Sequence, residues 1–126
     1  MAERKTITII VAEDDDDVRV FYTELFLPFF LPEARVRSCP NGRDALKKIQ
    51  EEDANLLLTD FLMPIMDGLE LAREAKKINP GLKVLMVSGT PPSTSQAQEA
   101  GVDVVLVKPA KNLAGEIKKM LDLCPV

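Results

Sequence analysis

The sequence predicts an α/β fold: a doubly wound, five-stranded parallel sheet covered by five helices. Two observations carry this reading. Apolar runs of strand length recur five times along the chain, and the segments between them place apolar residues at helical spacing. With 126 residues and 46% hydrophobic content, the chain has the size and the apolar material of one compact domain, and residues 1–126 are read as a single domain.

Thr6 to Ala12 is rich in β-branched residues and ends in an acidic cluster, as expected of a buried first strand whose carboxyl end meets water. From Asp16 the apolar residues Val20, Phe21, Leu25 and Phe26 follow helical spacing until Pro28 and Pro32 stop the pattern, with Asp15, Asp16 or Asp17 available as cap. Ala34 to Cys39 forms a short second strand. Pro40-Asn41-Gly42 is a turn signal before a helix carrying Ala45, Leu46 and Ile49. Asn55 to Thr59 is the third strand. Pro64 and Asp67-Gly68 punctuate a loop, and Leu69, Ala72, Arg73 and Ile78 lie on a helix ended by Asn79-Pro80-Gly81. Leu82 to Val87 is the fourth strand. A polar segment with Pro91-Pro92 precedes a short helical pattern that stops at Gly101; Val102 to Val107 is the fifth strand, and Leu113, Ile117, Met120 and Leu121 mark the last helix.

Strands alternating with helices give parallel pairing, because each right-handed crossover lays a helix on the sheet. No repeat, linker or low-complexity tract interrupts the series. For this length the expected strand order is 2-1-3-4-5, flavodoxin-like, which puts ligands outside the carboxyl ends of the first and third strands.

Composition narrows the function. The longest strongly apolar stretch, Leu25 to Leu31, contains a proline and is far shorter than the roughly 20 residues of a membrane span, so no membrane segment or signal peptide is expected. Cys39 and Cys124 lack metal-ligand spacing and are read as inert thiols of a reducing, cytoplasmic compartment. A net charge of −4 with clustered acids argues against direct nucleic-acid binding. The chain has no histidine, which removes Ser-His-Asp chemistry and histidine metal sites and means that any phosphohistidine belongs to a partner.

The residues just past the strands are Glu13 and Asp14 after the first, Asp60 after the third, Ser88 after the fourth and Lys108 after the fifth. Three carboxylates converge opposite a hydroxyl and an ammonium. Crowded carboxylates repel unless a cation intervenes, and an all-oxygen set suits Mg²⁺ better than zinc. Lys108 and Ser88 suit the equatorial oxygens of a transferring phosphoryl group, and a carboxylate between metal and lysine can be the nucleophile. Asp15, Asp16 and Asp17 are read as a solvated, helix-capping run outside this site.

Val11 to Arg19, Thr59 to Gly68, Val87-Ser88-Gly89, and Gly101-Val102-Asp103 through Lys108-Pro109 together resemble the receiver domains of response regulators over roughly Thr6 to Leu121. The resemblance implies that Asp60 is the phosphoacceptor, that Asp14 and Asp60 ligate Mg²⁺, that Glu13 acts through a metal-bound water, and that the backbone carbonyl of Leu62 completes the protein ligands. It further implies that Lys108 and Ser88 contact the phosphoryl oxygens, that the Lys108-Pro109 bond is cis, and that a histidine kinase or histidine phosphotransfer protein is the donor. Two departures stand out. Val105 occupies the position, three before the lysine, where the family commonly has an aromatic residue. The stretch from Ser88 to Lys108 is also short and holds Pro91-Pro92, which predicts a short or displaced fourth helix and shifts the expected output surface toward the first helix, where Phe21, Tyr22, Phe26, Phe29 and Phe30 are more than one face can bury. Leu62 has no polar group to position a hydrolytic water, so slow loss of the phosphoryl group is expected.

Two other readings compete. A degenerate receiver acting only as a protein-binding module would not need the full set of Glu13, Asp14, Asp60, Ser88 and Lys108. An aspartate-nucleophile phosphohydrolase would want a second aspartate where Leu62 stands.

Overall fold

The computed structural model describes residues 6–123. The expectations for residues 1–5 and for Cys124 fall outside them. Five parallel strands, β1 (Thr8–Ala12), β2 (Arg35–Cys39), β3 (Leu56–Thr59), β4 (Lys83–Ser88) and β5 (Val104–Val107), form one sheet in the order 2-1-3-4-5. The expected order is the observed one. Five helical segments cover it: α1 (16–30), α2 (Gly42–Glu51), α3 (Gly68–Ile78), α4 (Thr94–Ala100) and α5 (Leu113–Met120).

The period-two alternation of strand side chains divides the core into two layers. Ile10, Ala12, Leu57, Val84 and Met86 face α2, α3 and α4, where Ala45, Ile49, Leu71, Ala72, Ala75 and Ala97 meet them. Ile9, Val11, Leu56, Leu58, Leu85 and Val87 face the opposite way onto Tyr22 and Leu27 of α1 and Leu113 and Ile117 of α5. Full burial of one such side chain as large as Ile9 or Leu56 contributes about 1.5–3 kcal/mol. Among the described residues no helix is long and apolar enough to cross a membrane.

Two helices depart from regular expectation. Asp15 caps α1, its carboxylate accepting the backbone N–H groups of Asp17 at 2.9 Å and Val18 at 3.1 Å. The helix does not stop at Pro28: it runs on to Phe30 and ends before Pro32. The reason is a π-helical stretch, Phe21–Phe26, after which the Leu27 N–H bonds to the Tyr22 carbonyl five residues back. A proline in a regular helix lacks a donor and collides with the carbonyl four residues behind it; the widened turn opens the ladder at that point. α4 is short, as Pro91-Pro92 predicts, spanning 7 residues from a Ser93–Gln96 capping box to Gly101, whose φ of 85° is the left-handed cap that glycine favours.

Candidate functional site

The carboxyl ends of β1, β3, β4 and β5 bring the acidic and basic residues to one edge. Glu13 follows β1 and is only 2% exposed; its backbone N–H donates to the Cys39 carbonyl at 3.1 Å, extending the sheet one residue and turning the carboxylate inward. Asp14 is exposed beside it. Asp60 continues β3, its N–H donating to the Ala12 carbonyl at 3.1 Å, while the Phe61 N–H donates to Asp60 Oδ1 at 2.7 Å and fixes the carboxylate. Carboxylate oxygens of Glu13, Asp14 and Asp60 lie within 4.8 Å of one another.

Lys108 is registered against β4 by its N–H bond to the Ser88 carbonyl at 3.0 Å, and its ammonium bridges two of the acids, donating to Glu13 Oε1 at 3.0 Å and Asp60 Oδ2 at 3.2 Å. The Lys108–Pro109 bond is cis, as the resemblance implies. Burial pushes the Glu13 carboxyl above its ordinary range, with the Lys108 hydrogen bond pulling back down and the Asp60 charge pushing further up. For Lys108, burial works against the ammonium, but the hydrogen bonds and charges of Glu13 and Asp60 together outweigh it and raise its pKa. The site is thus a tight cluster of opposite charges at a partly dry edge.

Ser88 is buried at the end of β4, where its Oγ accepts the Thr90 N–H at 3.2 Å. Leu62 lies two residues beyond Asp60, its side chain exposed. The structure therefore gathers Glu13, Asp14, Asp60 and Lys108 into direct proximity and sets Ser88 on the neighbouring strand and Leu62 on the adjoining loop. Asp16 and Asp17 stay on the surface, and Asp15 serves as the helix cap.

Three features of this edge escape the sequence reading. The Arg19 guanidinium donates to the Glu13 carbonyl at 2.9 Å and to Asp16 Oδ1 at 2.6 Å, tying the strand end to α1. Gly68 presses so closely on the Asp60 carbonyl that a Cβ there would lie 2.2 Å from its oxygen. Asp67-Gly68 is legible as a turn, but this close approach is not. Between them, Ile65 adopts a φ of 76° in a three-residue turn closed by the Met66 N–H on the Pro64 carbonyl at 2.8 Å. A β-branched residue is the least suited to that conformation, so nothing in the sequence announces it.

The profile of the response regulator receiver domain matches residues 9–121. This chain belongs to the response-regulator receiver family. As a receiver domain it is a regulatory module of two-component signalling rather than a conventional enzyme. It is 40% identical over 122 residues to the response regulator receiver protein CpdR of Brucella abortus, covering 90% of this chain and 95% of that protein. It is 31% identical to the response regulator protein VraR of Staphylococcus aureus, but spans only 56% of that protein's length. Its fold matches a CheY-like receiver domain protein from Methanospirillum hungatei with a TM-score of 0.83 at 31% identity, covering 94% of this chain and 95% of the other. The response regulator TrrA of Thermotoga maritima, solved in complex with Mg(2+)-BeF, matches with a TM-score of 0.78 at 25% identity over 91% of this chain and 99% of that one. Membership of the receiver family implies a histidine-kinase phosphodonor, and the cluster of Glu13, Asp14 and Asp60 could hold a metal ion.

Proposed function

We propose that Asp60 accepts a phosphoryl group from a phosphohistidine donor in a Mg²⁺-dependent reaction, and that the change in charge at this edge switches the domain's conformation to signal in a phosphorelay. The observation that carries the reading is the Lys108 ammonium bridging Glu13 and Asp60 beside the exposed Asp14. A cation-binding pocket and an anion-binding group stand on either side of one carboxylate, which is the arrangement an acyl-phosphate acceptor requires.

The donor set fits the ion. It consists of carboxylate oxygens, with no histidine in the chain and the buried Cys39 on another strand, and so favours a hard cation over zinc. Glu13, Asp14, Asp60 and the Leu62 carbonyl would hold it, Glu13 through a water. Bound Mg²⁺ would offset the negative charge that three carboxylates and an incoming phosphoryl group bring together.

The residues of the chain supply the rest. The Phe61 N–H holds Asp60 in orientation while a carboxylate oxygen attacks phosphorus. The phosphorus–nitrogen bond of the donor breaks, its electron pair stays on the imidazole, and the imidazole takes up a proton from solvent. Lys108 passes from the Asp60 carboxylate to the phosphoryl oxygens, and Ser88 donates its hydroxyl to another of them. Catalysis is confined to the domain's own phosphorylation and dephosphorylation. Exposed and aliphatic, Leu62 leaves attacking water unpositioned, so the acyl phosphate is long-lived and Leu62→Asn shortens it. The same proposal treats residues 1–126 as one receiver unit working in the cytoplasm, where a buried free thiol such as Cys39 persists.

Intact mass after incubation with acetyl phosphate tests the proposal. One added phosphoryl group, lost with chelator and lost in a folded Asp60→Asn chain, is the expected result. Addition that survives either change overturns the assignment, and no addition to the native chain, with folding intact, favours a module that only binds.

A further inference from the structure

The segment from Glu13 to Arg19 closes on itself. Glu13 begins it, with its N–H on the Cys39 carbonyl of β2 at 3.1 Å, and the exposed Asp14 follows. Asp15 then caps α1 and accepts the Arg19 N–H on its carbonyl at 2.9 Å. The Arg19 side chain returns to the start, Nη1 donating to the Glu13 carbonyl at 2.9 Å while Nη2 donates to Asp16 Oδ1 at 2.6 Å. Asp14 therefore lies within a ring of covalent and hydrogen bonds.

This ring bears on two of the three acids. The oxygen that Arg19 holds belongs to the peptide group joining Glu13 to Asp14. A peptide group is rigid, and its plane contains the carbonyl oxygen, the Asp14 nitrogen and the α-carbons of both residues. With its N–H set by β2 and its carbonyl set by α1, Glu13 is fixed on both sides, and so is the point from which Asp14 starts. A planar guanidinium can do this because its fork of donors reaches the carbonyl and Asp16 at once. Among the described residues, neither bond goes to a carboxylate of Glu13, Asp14 or Asp60, so Arg19 leaves those oxygens to Lys108 and to a cation.

We propose that Arg19 is a positioning residue of the acidic centre: by holding the Glu13–Asp14 peptide group it sets both carboxylates at the spacing from Asp60 that a divalent cation needs. The inference deepens the reading of this edge as a Mg²⁺ site and rests on it for the effect on metal affinity. Charge and positioning act here in opposite directions. As a positive charge beside a cation site, Arg19 weakens binding by repulsion; as a clamp on two ligand-bearing residues, it strengthens binding.

The test measures Mn²⁺ binding from the electron paramagnetic resonance signal of the free ion, and Mg²⁺ binding by competition. It uses the full chain as native protein, Arg19→Ala and Arg19→Lys, each checked for folding by circular dichroism. Arg37→Ala, which loses the same charge from the Arg37–Glu52 pair, serves as control. Arg19→Ala should bind Mn²⁺ about tenfold more weakly than the native chain. Arg19→Lys, with the charge kept and the fork lost, should fall between them, and Arg37→Ala should match the native chain. If Arg19→Ala does not fold, Arg19→Met, which has no donors, takes its place with the same expected loss. Unchanged or tighter binding in the folded variant overturns the proposal, as does an equal loss in Arg37→Ala. Amide exchange without metal reads the clamp by itself. The Glu13 N–H, on the Cys39 carbonyl, should exchange several-fold faster in Arg19→Ala, while the Lys108 N–H, on the Ser88 carbonyl at the same sheet edge, should exchange as in the native chain. Unchanged exchange at Glu13, or an equal rise at both amides, also overturns the proposal. A native chain that binds neither ion overturns the Mg²⁺ reading, and the exchange comparison then decides the role of Arg19 alone.

Discussion

The side of the sheet under α2, α3 and α4 follows local rules closely. Its helices are capped by Asn41, Asp67 and Ser93, each accepting a backbone N–H, and they approach the strands through alanines. Ion pairs tie the layer together, Arg73 to Glu99 at 2.8 Å and Lys76 to Asp103 at 3.0 Å. The side under α1 and α5 is built differently. α1 changes its winding midway and carries five aromatics; Phe21, Leu25 and Phe29 remain exposed, Phe29 by 88%, while Tyr22 turns inward; and the α5 cap position, Asn112, makes no side-chain capping bond. The irregular side is also the one whose groove reaches Lys108. Both sides bury their strand side chains fully, but the departures from regularity lie on the side under α1 and α5, where they bear on the acidic centre.

The largest expected effect belongs to the regular side. Gly68→Ala forces a Cβ against the Asp60 carbonyl and the Met86 side chain, and because the first contact is backbone it cannot be relieved by a rotamer change. A loss of about 3 kcal/mol in urea unfolding is expected; an unchanged midpoint would mean that α3 can slide and that the close approach of Gly68 to Asp60 is not fixed.

Next comes a dependence on pH. Burial pushes the Cys39 thiol, in the layer facing α2, from an ordinary 9.0 up to about 11. Below the ordinary value the thiol is protonated whether the chain is folded or not, and its burial stabilises the fold in full. Between the two values the unfolded chain releases the proton while the folded chain retains it, so stability declines as pH rises from 9.0 toward about 11. Unfolding free energies measured across that window should fall more steeply for the native chain than for Cys39→Ala. Equal slopes would place the thiol in contact with water and loosen the account of this side.

The smallest effect probes the irregular side. Because the π-helical turn already accommodates Pro28, Pro28→Ala should change stability by less than about 1 kcal/mol, against about 3 kcal/mol for proline inside a regular helix. A gain near the larger figure would show that the ring is strained and that the widened turn does not relieve it.

What the sequence made legible follows the same division. Strand order follows from the alternation of strands and helices and the length of the chain, and the positions of Glu13, Asp14, Asp60, Ser88 and Lys108 from which residue ends each strand, all of which can be read from the chain; the division into two core layers cannot, because the strands are apolar on both faces. The short α4 follows from Pro91-Pro92 by the same local logic. The continuation of α1 through Pro28 rests on a widened turn and the positive φ of Ile65 on a three-residue turn, while the Arg19 tie to Glu13 and the inward turn of Tyr22 depend on where α1 lies against the strands. Proline stops a helix in isolation, and a β-branched residue avoids positive φ in isolation. Neither rule anticipates the hydrogen-bond pattern of the turn that holds the residue.

The most direct test of the central assignment is chemical location of the phosphoryl group. Borohydride reduction of the phosphorylated native chain, followed by peptide mapping, should place the reduced residue at position 60 and find none in Asp60→Asn. Reduction at Asp14 or at any other carboxylate of the phosphorylated native chain would contradict the account.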